Sequence, residues 1–494
     1  MEKFFWADQI AEKIIKERKN KKIYVCASGI TPSGTIHIGN FREVITTDLV
    51  VKALEKRGKK VRFIYSWDDF DRFRKVPKNV PKTYEKYVGM PVSEVPSPFE
   101  KNKSYAEHFE EEFEDSLKQV GIKPEFIKQH LMHKKHKYSN LIKIALEKRK
   151  EIIEILNKYR KEALEEDWFP LTIYCEECKK DFTKVLNVEN YDIEYECKCG
   201  FKNKVDYRKE GFVKLSWRVD WPARWKYEEV DFEPSGIDHD VQGGSRMTGH
   251  EIAKKVFGIE PPLPQTYEWV KIKGGTVFSS STGNAVSLND AGEIYESEVL
   301  RYLFVGTRPN KAFQISFDND VIKIYDDFDS LEKKYYENKA TPQEKRVYEL
   351  SRLKITKENP KRTSFRHLIT LVQIGKISEL NKYDQKRAKN VSNWLEKHGS
   401  EMHFKVQDKI KTELNEKEKK ALVELREILK KKDYGEKELF NEFYNICEKT
   451  GISNKEFFSI AYKVIIKKSK GPRLADLILA IGKEKVIKLL NQIK

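Results

Sequence analysis

The residues best suited to chemistry lie in TPSGTIHIGN, which runs from Thr31 to Asn40 between a predicted strand and a predicted helix. A glycine-containing turn that enters a helix offers free backbone N–H groups and the positive end of the helix dipole to phosphate. His37 and Asn40 fall in the first turn of that helix, predicted over residues 37–57. Their side chains can donate to phosphate oxygens as charge builds up there. The segment therefore predicts a catalytic phosphate site.

Small residues in the same segment leave room for a nucleotide. Ser33, Gly34 and Thr35 let the backbone approach a chain of phosphates. Gly39 lacks a Cβ, so an adenine ring can lie against the backbone at that position. These features predict ATP as the ligand, whereas a chance turn into a helix would supply only part of the pattern.

A second phosphate-binding candidate is VFSSSTGN, residues 277–284, which follows a predicted strand and precedes a helical stretch. The backbone and hydroxyl groups of Ser279, Ser280 and Ser281 can form a nest of donors around pyrophosphate. An ordinary Ser/Gly loop is the alternative at this position.

A third candidate is GIDHDVQGGS, residues 236–245. Gly236 allows close approach of a ligand, and Asp238 is a natural acceptor for the two hydroxyl groups of a ribose. This segment gains weight because it lies between the other two candidate segments along the chain.

Four of the six cysteines form two pairs, Cys175-x-x-Cys178 and Cys197-x-Cys199. Four thiolates at this spacing can close a tetrahedral zinc site, and a closed site leaves no open position for water, so the zinc should be structural. Clustered cysteines of this kind are typical of a reducing compartment and predict a cytoplasmic protein.

The chain reads as alternating strands and helices in its first part. KKIYVCASG and VRFIYSWDD are short apolar runs separated by a helical stretch, which is a βαβ unit with its functional end at the strand carboxyl ends. Strand-like runs return with FVKLSW and TYEWVKI. From about residue 312, Lys and Glu dominate, Gly becomes scarce and helical periodicity takes over.

The first motif resembles the HIGH signature of class I aminoacyl-tRNA synthetases, with Asn40 in place of the last His, and the second lies where the KMSKS signature is expected. SWDDFDRFRKVP, WPARW, GIDHDVQGGS and TYEW are similar to segments of the class I lysyl-tRNA synthetases of archaea and some bacteria. Two lysines expected in VFSSSTGN are replaced by Val277 and Thr282. The resemblance covers residues 20–310 most strongly.

The resemblance implies a lysine pocket. Lysine would lie against Gly29 and Thr31, with Trp221, His239 and Tyr267 around its side chain and Glu268 near its ammonium group. Aromatic walls suit an alkyl chain, and a carboxylate suits the cation. Because consecutive strand residues point to opposite faces, Tyr267 and Glu268 can both face the pocket only if the strand ends or bulges there.

Asp68, Asp69 and Asp71 follow the second predicted strand. They can form a Mg²⁺ cluster, or a polar loop that contacts tRNA or neighbouring basic residues, and we favour the second interpretation.

The fold class predicted is α/β, a doubly wound parallel nucleotide-binding domain with a zinc-ribbon insertion and a C-terminal all-helical domain. The implied function is ATP-dependent activation of lysine, with Mg²⁺ on the triphosphate, and its transfer to the terminal adenosine of tRNA. A synthetase for another amino acid such as glutamate, a non-catalytic tRNA-binding relative and a small-molecule adenylyltransferase are alternatives. The predicted domains are 1–71 and 216–275 (catalytic halves), 72–215 (insertion), 276–311 (signature loop and connection) and 312–494 (helical anticodon-binding domain).

Composition limits the partners. Of 494 residues, 39 % are hydrophobic, enough for packed cores, and 95 Lys+Arg against 78 Asp+Glu leave a formal charge of +17. The surplus favours a polyanion such as nucleic acid. No apolar run is long enough to cross a membrane, and MEKFFWADQIAEKIIKERKNKK reads as an amphipathic helix rather than a signal peptide. Monomer and dimer both stay open.

Overall fold

The computed structural model describes residues 5–274 and 286–493. The predicted phosphate-binding serines Ser279, Ser280 and Ser281 lie outside this part of the chain. Contacts divide the chain into two units. The first unit comprises the described residues up to Gly292, with Ser297–Ile315 and Ala340–Ile355, and the second comprises Glu293–Glu296, Ser316–Lys339 and the described residues from Thr356 onward.

In the described residues the strands are β1 Tyr24–Ile30, β2 Val61–Trp67, β3 Glu125–Lys128, β4 Leu171–Ile173, β5 Thr183–Glu189, β6 Asp192–Cys197, β7 Lys202–Asp206, β8 Val213–Leu215, β9 Phe232–Gly236, β10 Leu263–Tyr267, β11 Val270–Ile272 and β12 Phe313–Ile315. The α-helices of the first unit are α1 Trp6–Glu17, α2 Phe41–Lys56, α3 Tyr105–Gln119, α4 Gln129–Lys134, α5 Ser139–Glu147, α6 Arg149–Asn157, α7 Trp217–Glu228, α8 Ser245–Lys255, α9 Leu288–Ile294, α10 Ser297–Val305 and α12 Pro342–Ser351. The last residues of α9 already belong to the second unit.

The helices of the second unit are α11 Asp320–Tyr336, α13 Phe365–Gln373, α14 Lys382–Lys397, α15 Glu416–Lys431, α16 Glu436–Thr450, α17 Asn454–Ile466, α18 Leu474–Ile481 and α19 Lys483–Leu490. Short 3₁₀ turns occur at Lys82–Tyr87, Ile237–His239, Ile377–Glu379 and Ser400–Met402. None of the described helices is long and apolar enough to cross a membrane.

The first unit is built on a five-stranded parallel sheet with strand order β10-β9-β1-β2-β3. The predicted parallel α/β fold is confirmed. The chain runs from β1 outward to β2 and β3 and later returns to the other side of β1 with β9 and β10. In such sheets ligands bind outside the strand carboxyl ends, where the strand order reverses. The expected ligand position is therefore the end of β1 and β9.

The centre of this sheet is apolar on both faces, as a covered parallel strand must be. In β1 the residues Tyr24–Ala27 are all buried. Helix α2 packs on the sheet and is buried along almost its whole length, from Phe41 to Leu54. The strand and the helix therefore hold the loop between them, which carries the first phosphate motif, on a rigid base.

Helix α2 begins at Phe41, so the predicted start at His37 is wrong. The Ile38 N–H donates to the carbonyl of Val286, and His37 pairs with Ser287 in an isolated antiparallel bridge. Asn40 accepts from the His37 N–H through its side chain at 3.1 Å. These bonds hold residues 37–40 in a turn, so His37 lies ahead of the helix and not in its first turn.

The predicted insertion, residues 72–215, contributes a strand to the sheet. β3 pairs with β2 in parallel. This strand was not predicted, because a strand of four residues followed directly by a helix is too short to show a hydrophobic period. Farther along, β4 and β8 pair antiparallel and bring together the two ends of a three-stranded antiparallel sheet, β5-β6-β7.

The second unit is helical among its described residues, which confirms the predicted C-terminal helical domain. Its main core lies between α15, α16, α17, α18 and α19 and is formed by residues such as Leu425, Phe443, Phe457, Ile465 and Leu477. The predicted boundary at 312 falls close to Ser316, where this unit resumes, but residues 340–355 belong to the first unit.

Candidate active site

A cavity of about 470 Å³ opens at the carboxyl ends of β1, β9 and β10. These are the strand ends at which the sheet order reverses. Of the residues predicted to act at the site, those lining the cavity are Gly29, Thr31, His37, Gly39, Asn40, Trp221, Gly236, Asp238, His239, Tyr267 and Glu268. Ser33, Gly34 and Thr35 are described by the structure but are not among its lining residues.

Glu43 of α2 also lines the cavity and is held by two neutral donors. Its carboxylate accepts from the Gly29 N–H at 2.9 Å and from the Tyr267 hydroxyl at 2.7 Å. Burial raises the pKa of Glu43 to about 8, against the opposing effect of these two hydrogen bonds. A buried carboxylate in this state favours a cation that can enter the cavity and restore its charge.

Tyr267 and Glu268 both line the cavity because the strand ends between them. β10 stops at Tyr267, and the next strand, β11, starts at Val270 in a different sheet. The strict alternation of a continuous strand therefore does not apply. The charge of Glu268 acts on Arg42, whose pKa burial lowers to about 10 against the opposing effect of that carboxylate.

Backbone approaches tightly at two glycines of the cavity. A Cβ at Gly29 would lie 2.6 Å from the carbonyl oxygen of Ser66 on the neighbouring strand. A Cβ at Gly236 would lie 2.5 Å from the Asp238 carboxylate and 3.5 Å from the Tyr267 ring. Gly29 is required because the Ser66 backbone cannot move aside, whereas a Cβ at position 236 would displace the Asp238 side chain.

Burial lowers the pKa of His37 to about 4. The imidazole is therefore neutral near pH 7, and it can act on a phosphate as a hydrogen-bond donor rather than as a cation. The Asn40 side chain accepts from the His37 backbone N–H. This bond fixes the two predicted catalytic residues relative to each other.

The three aspartates after β2 are paired with basic side chains. Asp68 binds Arg224, and the buried Asp69 binds the His130 side chain. Asp71 accepts from Lys214 Nζ at 2.7 Å. In the described ranges, the one group of three or more His, Cys, Asp or Glu placed to share a metal ion is a cysteine cluster. The pairing with basic residues is the interpretation favoured by the sequence analysis.

Asp71 connects this pairing to the cavity. One of its oxygens accepts from Lys214 of β8, and the other accepts from the Thr31 hydroxyl at 3.1 Å. Lys214 lowers the pKa of Asp71 although the carboxyl is buried. The contacts from Lys214 to Asp71 and from Asp71 to Thr31 hold the Thr31 side chain in one orientation at the cavity edge.

Comparison with known proteins identifies the family. Residues 4–354 match the family described as tRNA synthetases class I (K), and residues 382–494 match an anticodon binding domain. The chain belongs to the class I lysine–tRNA ligase family. It is 44 % identical over 515 residues to a lysine–tRNA ligase of Borreliella burgdorferi (99 % of each chain), 41 % identical to that of Treponema pallidum (98 % of each), and 40 % identical to that of Pyrococcus horikoshii (98 % of this chain, 99 % of the relative).

The four paired cysteines of this lysine–tRNA ligase family member lie close together. The Sγ atoms of Cys175 and Cys199 are 3.7 Å apart, those of Cys178 and Cys197 are 3.6 Å apart, and all four lie within 4.8 Å of one another. A tetrahedron with Zn–S bonds of about 2.3 Å has edges of about 3.8 Å. The donor set and its spacing fit zinc. Lys179 and Gly200 adopt positive φ in the two tight turns behind the pairs.

Several lining residues were not found by sequence reasoning about this ligase family member. Glu43 follows Arg42 at the start of α2 and belongs to no motif, so the sequence carried no signal that singles it out. Other lining residues lie within segments quoted for the resemblance but were given no role there, namely Ser66, Arg74, Arg224 and Trp269, whereas Trp217 and Glu233 lie outside those segments.

Proposed function

We propose that the protein activates lysine with ATP and transfers the lysyl group to the 3′-terminal adenosine of lysine tRNA. The observation that supports this most is the half-buried carboxylate of Glu43, which lies at the switch point of the sheet beside the HIGH-like turn and is bound by neutral donors. Family membership and the match of residues 382–494 to an anticodon binding domain support the tRNA step.

In this proposal, the ammonium group at the end of the lysine side chain binds Glu43. An ammonium has three donors and no acceptor, so it suits a carboxylate that lacks a charge partner in the pocket. The Tyr267 hydroxyl donates to the same carboxylate, and the Trp221 ring lies on the cavity wall where an alkyl chain can pack. Glu268 was the candidate from resemblance, but its charge already acts on Arg42.

The charge of the lining favours a cationic side chain over glutamate. Six carboxylates line the cavity, namely Glu43, Asp68, Asp71, Glu233, Asp238 and Glu268. A pocket for glutamate needs an arginine free to bind the substrate. Two arginines, Arg74 and Arg224, line the cavity beside these six carboxylates, and Arg224 binds Asp68 and also pairs with Asp220 at 3.2 Å.

The chemistry runs in two steps. A lysine carboxylate oxygen attacks the α-phosphorus of ATP, the bond to the bridging oxygen breaks, and pyrophosphate leaves. A ribose hydroxyl of the terminal adenosine then attacks the lysyl carbonyl carbon, and AMP leaves. Mg²⁺ arrives with ATP and screens the triphosphate. The protein positions the groups and donates to the phosphates, with His37 and Asn40 at the HIGH-like turn and Gly39 beside the adenine.

The ribose lies near Gly236 and Asp238, which line the cavity. Ser33, Gly34 and Thr35 do not line it, so their contact with the phosphates stays a prediction. The pyrophosphate contact predicted for Ser279, Ser280 and Ser281 lies outside the described residues and stays a prediction. Val286, the first described residue after them, accepts through its carbonyl from the Ile38 N–H within the HIGH-like turn.

Cys175, Cys178, Cys197 and Cys199 would hold a zinc ion in the insertion. It would supply a structural cross-link between the two cysteine turns and take no part in the reaction. The cytoplasmic location inferred from these cysteines stays a prediction.

The proposal is tested by ATP–pyrophosphate exchange with each of the twenty amino acids. Lysine should support exchange far above the other nineteen. Exchange with glutamate in its place would show a synthetase of different specificity. No exchange with any amino acid, from folded protein that binds tRNA, would show the non-catalytic relative.

A further inference from the structure

Two indole rings at the cavity bind the same carboxylate. Trp221 and Trp225 lie one turn apart on α7, with ring centroids 5.0 Å apart. The Trp221 Nε1–H donates to one oxygen of Glu233 at 3.2 Å, and the Trp225 Nε1–H donates to the other oxygen. Trp221 lines the cavity, and Trp225 is buried behind it. Glu233 therefore ties α7 to β9 beside the substrate cavity.

We infer that Glu233 is a positioning residue that sets the plane of the Trp221 ring against the aliphatic chain of the bound amino acid. The inference rests on the proposed function, because it takes lysine as the substrate. Trp221 packs against Trp225 on one side and against His239, at 5.6 Å between ring centroids, on another. Rotation of the Trp221 ring out of this plane breaks its bond to Glu233.

A carboxylate is the side-chain group that satisfies both indoles at once. Each indole offers one N–H and no acceptor, so two of them need two acceptor oxygens. Glutamine at position 233 presents one acceptor and one NH₂ group, and the NH₂ group opposes an indole N–H. Aspartate keeps both oxygens but is one methylene shorter, so it cannot reach both rings from β9. Each replacement should free at least one of the two rings.

Glu233 also lines the cavity, so a direct contact with the lysine ammonium is the competing role. The two roles differ in their dependence on the ligand. A contact with the ammonium matters only for lysine. A Trp221 ring held in one plane matters equally for norleucine, which has the same carbon chain as lysine and no ammonium group at its end.

The experiment compares Glu233→Gln with wild type in lysine-dependent ATP–pyrophosphate exchange, with norleucine as a competitive inhibitor. We expect the lysine KM and the norleucine inhibition constant to rise together by about tenfold, the size of one lost charge-assisted hydrogen bond. The KM for ATP should not change. Glu228→Gln is the matched control, since Glu228 lies on α7 but pairs with Arg62 away from the cavity, and it should behave as wild type.

A double-mutant cycle with Trp221→Phe tests whether Glu233 acts through the indole. Phenylalanine keeps a ring and removes the N–H, so Glu233→Gln should add little to lysine KM in that background. Full additivity would overturn the inference, as would wild-type constants for Glu233→Gln or a loss of lysine affinity without a loss of norleucine affinity.

Folding is checked by thermal melting. If Glu233→Gln does not fold, Glu233→Asp replaces it, and the same joint rise for lysine and norleucine is expected. The failure of this inference is distinct from failure of the proposed function. In the second case wild-type protein itself would show no lysine-dependent exchange.

Discussion

Among the carboxylates of the cavity, Asp68 and Asp71 have fixed basic partners, whereas Glu43 and Glu233 are bound by neutral donors. Asp68 and Asp71 are bound by Arg224 and Lys214, and they keep their role whether or not substrate is present. Glu43 is different, because burial raises its pKa to about 8 and it gains a charge partner only from the substrate. Selection of lysine is therefore assigned mainly to this one residue.

Glu43→Gln keeps the shape of the side chain and removes the charge. A charge-assisted hydrogen bond contributes about 1.5–3 kcal/mol, so the lysine KM should rise about ten- to a hundredfold while the KM for ATP stays nearly constant. Pyrophosphate exchange at varied lysine and varied ATP measures both. Glu55→Gln, an exposed position on α2, is the control. An unchanged lysine KM would remove Glu43 from the pocket.

The same residue predicts a pH dependence. Below pH 8 the carboxyl of the free protein holds a proton, because its pKa is raised, and the lysine ammonium must displace that proton to bind the carboxylate. Lysine affinity should therefore increase as pH rises towards 8, with proton release on binding. Calorimetry in buffers of different ionisation enthalpy measures this release, which Glu43→Gln should abolish.

Sequence reasoning was more successful with motif residues than with their partners. Gly29, His37 and Tyr267 were assigned from spacing and resemblance, and all three line the cavity. Glu43 was missed because it belongs to no motif and is one of three acids on α2, with Asp48 and Glu55. The link between Tyr267 and Glu43 joins residues 224 positions apart, and no local pattern contains such a pair.

At the scale of elements, the end of each strand decides which side chains reach the cavity. A single strand through TYEWVKI was expected, but the chain passes from β10 into a second sheet at β11. The strand ends after Tyr267, which is the condition under which both Tyr267 and Glu268 can face the cavity. The presence of parallel strands follows from apolar runs and βαβ geometry. The start of α2 at Phe41 does not, since it depends on the distant bond between Ile38 and Val286.

Lys214→Met tests how β8 supports the cavity. Methionine fills similar volume but leaves the buried carboxyl of Asp71 without its strongest partner, so the Thr31 hydroxyl loses its fixed acceptor. We expect the lysine KM to rise about tenfold, as for loss of one hydrogen bond to a charged group. Lys209→Met, on the exposed turn before β8, is the control. Equal lysine constants for the two variants would contradict the assignment.

Removal of zinc tests the insertion. Purified protein should hold about one zinc, as expected for a closed four-thiolate site. Cys175→Ser should lower the melting temperature and release the metal, because three thiolates no longer close the tetrahedron. Metal content by mass spectrometry and melting curves give the two readings, and zinc added back to chelated wild type should restore the melting temperature. Metal-free protein with an unchanged melting curve would exclude a structural zinc.

At the scale of the whole molecule, a formal charge of +17 on 494 residues should act on tRNA and not on the small substrates. Binding to polyanions weakens steeply with salt because counterions are released, by about 10³ or more between about 50 mM and about 200 mM salt when several phosphates are contacted. The KM for tRNA should rise strongly over this range. The lysine KM in pyrophosphate exchange should change far less. Equal salt effects on both constants would argue against electrostatic tRNA binding.

The central claim is tested most directly by charging tRNA. Wild-type protein is incubated with ATP, Mg²⁺, radiolabelled lysine and a lysine tRNA transcript, and acid-precipitable lysyl-tRNA is counted over many turnovers. We predict multiple turnovers with lysine and none with glutamate. His37→Ala should be slower by about two to three orders of magnitude, the usual cost of one preorganised donor. Precipitable product with glutamate, or none with lysine from protein that is folded and binds tRNA, would contradict the account.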